Sequence, residues 1–450
     1  MISLVQEFMS NTSIRHALSK DTEEKSSGVI GYKDALDLII GSTAVDSLPE
    51  DARTQLEAIA SHWIQSPETS PLILGRKAGE NWRTIVSIKA GSGQTKARRG
   101  TRSKESSELN WRIDFSSLPF PPVDRPRFTF IDLFAGNGGF RIALQSLGGK
   151  CVFSSEWDRH AQRTYHRNFG EMPFGDIRAF TGDDVSDRQI AKWIPDHDVL
   201  AAGFPCQPFS KAGVSARKSL GLKHGFSCEI QGTLFFDLVR VAKAKRPKVL
   251  LLENVKHLRG HDEGRTFQTI EKTIREDLGY SFSPHMLDSS TLVPQRRQRC
   301  YIVCFRDPGE TFSFPPFTGE PMPLSSILLK KDPDSRYTIS DRLWAGHKNR
   351  TERNLKRGTG FTAFLADPNR PANTLVARYY KDGKECLIPQ PGRNPRKLTP
   401  KECARLQGFP DKFIPSDSDS QAYRQFGNSV AIPVVKRVAE EIMKKLKRSK

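Results

Sequence analysis

Between residues 127 and 317 the chain alternates short, continuously apolar runs with segments of helical spacing. The apolar runs fall at 128–134, 151–155, 199–202, 249–253 and 301–303. Uninterrupted runs of this length suit strands covered on both faces, and their alternation with helices predicts a mostly parallel, doubly wound α/β sheet. Residues 1–90 follow another rhythm. There, 33–40, closing at Gly41, and 51–63 have apolar positions at helical spacing, which predicts a mostly helical N-terminal module. From 318 to 395 the pattern breaks into short strands, loops and many basic residues, with Asp382-Gly383 between strand-like runs reading as a hairpin turn. Thr399-Pro400-Lys401-Glu402 then opens a helix with a capping box and proline at the first helical position. A last helix from Pro433 places Val434, Val435, Val438, Ile442 and Leu446 on one face, expected to pack back onto the sheet.

These patterns divide the chain into a helical module (1–90), a linker (91–126), a sheet domain (127–317), an irregular smaller domain (318–395) and a return to the sheet domain ending in a helix (396–450). The linker is small, polar and basic around Arg98, Arg99, Arg102 and Lys104, and reads as flexible.

Composition narrows the partners. Seventy basic against 51 acidic residues give a formal charge of +19, which suggests a polyanion such as nucleic acid; a generally basic surface is the plainer alternative. The seven cysteines include no Cys-x-x-Cys pair, so neither a disulfide framework nor a metal site is expected, and a reducing cytoplasm is implied. Cys300 and Cys304 share a strand face and read as packing. No long apolar stretch suggests a membrane span.

The run at 199–202 leads into Gly203-Phe204-Pro205-Cys206-Gln207-Pro208-Phe209-Ser210, so a thiol stands just beyond a strand's carboxyl end, where open α/β sheets hold ligands. Two prolines stiffen the segment and polar Gln207 and Ser210 follow it. By itself this leaves a nucleophile and a packed core thiol both open. Phe134-Ala135-Gly136-Asn137-Gly138-Gly139 turns from the first strand into a helix, but Arg141 stands where a dinucleotide fingerprint wants glycine or alanine, which disfavours NAD. Glu156, at the second strand's end, suits ribose hydroxyls, and Asp176, at a further strand end, suits an adenine amino group. Glu253-Asn254-Val255 closes the run at 249–253, on the edge that carries Cys206 if the sheet is parallel. A carboxyl there is costly unless used or paired. Arg297 and Arg299, alternating before the apparent strand at 301–303, are expected on one face.

In their order and spacing the loop at Phe134, the segment from Gly203 to Ser210, Glu253-Asn254-Val255, Gln295-x-Arg297-x-Arg299, the stretch 396–410 and Gln425-Phe426-Gly427-Asn428-Ser429-Val430 resemble the DNA (cytosine-5)-methyltransferases, bacterial restriction-modification or orphan type, over residues 128 to about 447. The resemblance implies a Rossmann-like, S-adenosylmethionine-dependent sheet domain, with target recognition in 318–395. It assigns the cofactor to Phe134, Gly136, Asn137, Gly138, Gly139, Glu156, Trp157, Asp176, Ile177, Pro205, Leu234, Asn428 and Ser429. Cys206 is the implied nucleophile on cytosine C6, Glu253 the acid at N3, and Asn254 the holder of the loop. Arg297 is implied as a source of charge favouring the thiolate and as a donor to the base O2, and Arg299 as a brace of the site and the acid. The base must be flipped from double-stranded DNA, and the loop after Cys206 is implied to close over it. Gln207, Ser210, Lys211, Arg217, Lys218, Thr374, Arg378 and Lys381 are the implied DNA contacts. The stretch 374–389 resembles enzymes acting at CC(A/T)GG or CCNGG. A monomer, paired in function with a restriction endonuclease that it need not bind, is expected in the bacterial cytoplasm at the nucleoid. Two alternatives accompany this reading. One is an RNA cytosine-5-methyltransferase, whose Cys-Phe-Thr segment is absent here; the other is a DNA-binding regulator using the N-terminal module.

Overall fold

In the computed structural model, residues 29–41, 50–68, 112–205, 234–331, 333–358, 363 and 365–448 are described. In chain order they form β1 (Val29–Gly31), α1 (Tyr32–Gly41), α2 (Glu50–Gln65), β2 (Arg112–Asp114), β3 (Phe128–Leu133), α3 (Gly139–Gln145), β4 (Gly149–Ser155), α4 (Arg159–Phe169), α5 (Arg178–Thr181) and α6 (Asp187–Trp193). Then follow β5 (Val199–Gly203), α7 (Leu234–Lys245), β6 (Val249–Val255), α8 (Arg265–Lys272), β7 (Ser283–Asp288), β8 (Gln298–Phe305), α9 (Asp341–Lys356), α10 (Tyr379–Asp382), β9 (Leu387–Gln390), β10 (Arg393–Lys397), α11 (Pro400–Leu406), α12 (Asp419–Asn428) and α13 (Ile432–Arg448).

The apolar runs become the centre of a six-stranded sheet in the order β4-β3-β5-β6-β8-β7. β4, β3, β5 and β6 pair in parallel, while β8 runs antiparallel to β6 and to the edge strand β7. Residues Val199–Ala202 and Val249–Leu252 are wholly buried, because the two-residue period of a strand sends alternate side chains into two separate cores. Leu200, Ala202, Leu250, Leu252, Cys300, Ile302 and Cys304 join one core. Val199, Ala201, Val249, Leu251, Tyr301 and Val303 join the other. Helix α7 covers the first face with Phe235, Leu238, Val241 and Ala242. The second face is covered by α3 and α13, and Val434, Val435, Val438 and Ile442 lie in its core as their spacing predicts. No helix among the described residues is long and apolar enough to cross a membrane.

The N-terminal helices are built into this body. Tyr32, Leu36 and Ile39 of α1 and Leu56, Ile59, Trp63 and Ile64 of α2 share one core with Ile131, Leu133 and Phe153 of the sheet. The basic linker lies outside the described residues.

Two readings of the irregular region are corrected. The Asp382-Gly383 signal is not a hairpin turn. Gly383, at φ 63°, instead ends the short helix α10, held by Tyr379, whose buried hydroxyl donates to Cys386 O at 2.5 Å and accepts from Leu398 N at 2.8 Å. The hairpin is one step later, β9 with β10, turning at Gly392. The unexpected element is α9. Of its side chains only His347 is buried, so it lacks the apolar stripe by which helices are recognised. The Thr399 capping box is present as predicted, with Glu402 closing back on the Thr399 N–H.

Gly427 shows how closely α12 packs on the irregular region. A Cβ there would meet the main chain of Val376 and Ala377 at 2.3–2.5 Å. Gly427→Ala is expected to destabilise the protein by roughly 1–3 kcal/mol, because backbone must move aside. Gly346→Ala, in α9 with nothing within 4 Å, is expected to gain about 0.5–1 kcal/mol from helix propensity. Urea denaturation of both variants checks the contrast, and equal effects would contradict it.

Candidate active site

β5 and β6 run parallel with Gly203 opposite Glu253, so the chain leading to Cys206 and the acid leave the sheet on the same edge. One hydrogen bond ties them together. Asn254 Nδ2 donates to Phe204 O at 3.0 Å, tying the start of the thiol-bearing segment to the acid's strand. A Cβ on Gly203 would lie 3.5 Å from Glu253 Oε2, so a larger side chain there would crowd the acid. Cys206, Gln207, Ser210, Lys211, Arg217 and Lys218 lie outside the described residues, which reach Pro205 and resume at Leu234.

Glu253 is 8% exposed. Burial pushes its pKa above the usual carboxylate value, against the pull of Arg299 and Arg297. Its Oε1 lies 3.2 Å from Arg299 Nε. Arg297 points elsewhere, donating to Leu375 O at 3.0 Å, Gly427 O at 3.0 Å and Ser429 O at 2.6 Å. The two arginines therefore do not share a face as the alternation predicted. β8 begins at Gln298, which leaves Arg297 in the preceding loop, free to turn inward. The geometry puts Arg299 beside the acid, in keeping with its expected bracing role, while the Arg297 terminal nitrogens are engaged with main-chain carbonyls. Burial, with the neighbouring Arg299, lowers the Arg297 pKa to about 9.

Gln295 adds to these main-chain links, a role its sequence position did not announce. Its Oε1 accepts from Leu375 N at 2.7 Å and its Nε2 donates to Leu406 O at 3.2 Å. Gln407 Nε2 carries the link on to Phe426 O at 2.8 Å. The available signal was its place in the Gln295-x-Arg297-x-Arg299 pattern; its burial, which makes it find partners for its polar atoms, is visible only in the structure.

The glycine turn after β3 lies on the same edge. Phe134, Gly136 and Gly138 take positive φ of 57°, 54° and 87°. Glu156, 7% exposed, accepts from Gly136 N and Asp158 N, both at 2.8 Å. Burial raises its pKa. Each oxygen keeps a lone pair beyond these bonds. Asp176 is not at a strand end, since only a single bridge, Ser155 to Phe174, extends β4's edge. Its carboxylate is forked by Arg178, with Nε at 3.0 Å. A Cβ on Gly139 would meet Val430 Cγ2 at 2.8 Å and Ser429 Oγ at 2.9 Å, so the 428–430 segment packs directly on the turn.

Around this turn Trp157 is 71% exposed, Ile177 is buried, Pro205 and Asn428 are exposed, and Leu234 is half-buried at the start of α7. Asn137 Nδ2 and Ser429 Oγ are buried with no hydrogen-bond partner among the described residues. Buried polar atoms are almost always satisfied. Two of them beside a glycine turn, a buried acid and an exposed indole fit a nucleoside-bearing cofactor with its own donors and acceptors. Of the expected DNA contacts, Arg378 and Lys381 are exposed, whereas the Thr374 hydroxyl donates to Arg296 O at 2.6 Å.

Comparison with known proteins identifies the family. Residues 128–444 match the family described as C-5 cytosine-specific DNA methylase, a span that leaves out α1 and α2. The chain is 46% identical over 356 residues to the Type II methyltransferase M.SsoII of Shigella sonnei, covering 77% of this chain and 89% of that one. It is 40% identical over 425 residues to the DNA-cytosine methyltransferase of Escherichia coli (strain K12), covering 82% and 88%. Among solved structures, the Dnmt2 methyltransferase of S. pombe superposes with a TM-score of 0.54 at 17% identity, over 71% of this chain and 99% of that one, a likeness of fold.

The Arg297 contacts are testable apart from chemistry. Arg297→Met is expected to cost roughly 3–5 kcal/mol in urea denaturation, since three main-chain carbonyls lose a charged donor in a buried setting. Arg299→Met, at the partly exposed edge, is expected to cost less than half as much.

Proposed function

Because this chain belongs to the C-5 cytosine-specific DNA methylase family, we propose that it methylates C5 of a cytosine flipped from duplex DNA, through a covalent bond from Cys206 to C6. The chain is a DNA cytosine-5 methyltransferase; the cofactor, the flipping and the adduct are what is proposed. The observation that carries the reading is the parallel pairing that sets Gly203, at the root of the Cys206 segment, against the buried acid Glu253.

Cytosine C5 is a weak nucleophile. The Cys206 thiolate adds to C6 while Glu253 delivers a proton to N3, which leaves C5 electron-rich and the ring neutral. C5 then takes a methyl group from a sulfonium donor, whose sulfur leaves as a neutral thioether; loss of the C5 proton to solvent water expels the thiolate from C6 and restores the ring, and N3 returns its proton to Glu253. A raised carboxyl pKa suits that proton traffic. An ordinary thiol is only a few per cent ionised at neutral pH, so positive charge near Cys206 is needed. Arg299, beside Glu253, is assigned to orient the acid and to donate to the base O2; Arg297 holds the surrounding segments.

S-adenosylmethionine, when bound, supplies an electrophilic sulfonium methyl group. Glu156, Asp176, Asn137, Asn428 and Ser429 would meet its polar groups, and Phe134, Trp157, Ile177, Pro205 and Leu234 its apolar surface. Gly136, Gly138 and Gly139 admit it close to the backbone. Gln207, Ser210, Lys211, Arg217 and Lys218 are assigned to DNA around the flipped base. Thr374, Arg378 and Lys381, within the 318–395 recognition region, are assigned to the duplex. The relatives named Type II methyltransferases support protection of DNA in partnership with a restriction endonuclease; a cytoplasmic monomer is proposed with it.

Bisulfite sequencing of plasmid DNA from expressing cells is expected to show one short methylated sequence, of the CC(A/T)GG or CCNGG kind. Cys206→Ser is expected to abolish methylation while DNA binding persists, and a 5-fluorocytosine duplex with cofactor should trap a covalent complex. Turnover near wild type in Cys206→Ser would sink the mechanism. The single-turnover rate should fall on the alkaline side as Glu253 loses its proton. Arg299 lowers the Glu253 pKa, so Arg299→Gln should move that limb to higher pH, whatever it does to the rate. A limb that stays in place would remove Glu253 as its source.

A further inference from the structure

Residues 58–66, the C-terminal half of α2 and the residue after it, are all buried. A helix apolar all round belongs in a core, yet α2 carries Ser61, His62 and Gln65 inward with it. Each polar side chain meets a partner across the interface, as burial requires. Ser61 Oγ accepts from Met172 N at 3.0 Å. His62 Nε2 accepts from Ser154 N at 3.1 Å. Gln65 does two things at once, donating through Nε2 to Phe169 O at 2.7 Å and accepting through Oε1 from Arg141 Nη2 at 2.9 Å.

Both partners of Gln65 bear on the glycine turn. Arg141 stands in the first turn of α3, two residues after Gly139, and its guanidinium lies 4.7 Å from the Phe169 ring centroid. That ring fills the space against Gly138, where a Cβ would come within 2.2 Å of it. Arg141 also pairs with Glu171 at 2.8 Å. Burial alone would raise the Glu171 pKa, but the Arg141 charge and the Ser154 hydroxyl pull it below the usual carboxylate range, so the pair stays ionised. Ser154, the other anchor, lies in β4 shortly before Glu156, whose carboxylate grips Gly136 N.

We propose that Gln65 is a positioning residue for the cofactor turn, and that α2, outside the span 128–444 that matches the family, is a built-in buttress of the cofactor site. Gln65 holds the Arg141–Phe169 pair that shapes Gly138 from one side, while His62 holds the strand end that carries Glu156 from the other. The inference rests on reading that turn as the S-adenosylmethionine site.

The test uses the full-length protein and S-adenosylhomocysteine as probe, measured by calorimetry without DNA. Gln65→Met keeps the volume and removes both hydrogen bonds. It is expected to weaken the probe about five- to tenfold, to speed amide exchange across residues 134–142 in the free protein, and to leave affinity for duplex DNA unchanged. Ile442→Val, a comparable loss in the opposite core, is the control for general destabilisation and should leave both readouts at wild-type values. Probe affinity within twofold of wild type in folded Gln65→Met overturns the proposal, as does an equal change in the control. If Gln65→Met does not fold, Arg141→Lys, which keeps the charge opposite Glu171 but loses the fork, decides by the same two readouts. Failure of the wild-type protein to bind the probe would instead strike at the cofactor reading itself.

Discussion

The parallel pairing of β5 with β6 is the constraint on which the site depends. Both strands are apolar and wholly buried until they end, so polar chemistry has nowhere to begin except at their carboxyl edge. The register then sets Gly203 against Glu253, and the amide of Asn254 stitches the departing segment to the acid's strand. A one-residue slip in this pairing would send Glu253 to the other face of the sheet and out of reach.

Bringing polar groups to that edge creates a second demand, since they must be satisfied by segments that return from far along the chain. Gln295 and Arg297 meet it together. Between them they bind main-chain groups of Leu375, Leu406, Gly427 and Ser429. The irregular region and the C-terminal segment that packs on the glycine turn are therefore held by one buried pair of side chains, which couples the expected recognition surface to the cofactor side without direct contact between ligands.

The far edge of the sheet poses a related problem. β4 is an edge strand, and unpaired edge N–H groups need a partner or a cover. α2 supplies both, burying its apolar residues in the sheet's core and accepting the Ser154 N–H with His62. An N-terminal segment reached through a basic linker thus becomes part of the wall behind the glycine turn.

The sequence alone determined the sheet, the edge and the residues that crowd it. Apolar runs buried on both faces leave a continuous signature, and a glycine turn, a stiff Pro-Cys-Gln-Pro segment and Glu253-Asn254 stand at strand ends whatever surrounds them. The capped start of α11 and the apolar face of α13 were equally legible, because each follows from neighbours within a turn or two. What only the tertiary structure decided was the partners. Arg297 and Arg299 are two residues apart and chemically identical, and which one faces Glu253 depends on where β8 begins and on carbonyls from residues 375, 427 and 429. The exposed helix α9 left no apolar stripe to read, and Asp382-Gly383 closes a helix because the Tyr379 hydroxyl finds Cys386 and Leu398. Gln65 stands two residues past the helical spacing at 51–63, and nothing local marks it. Its role follows from hydrogen bonds to Arg141 and Phe169, far along the chain, and contacts at such separation leave no local pattern because periodicity records burial and not the identity of the partner.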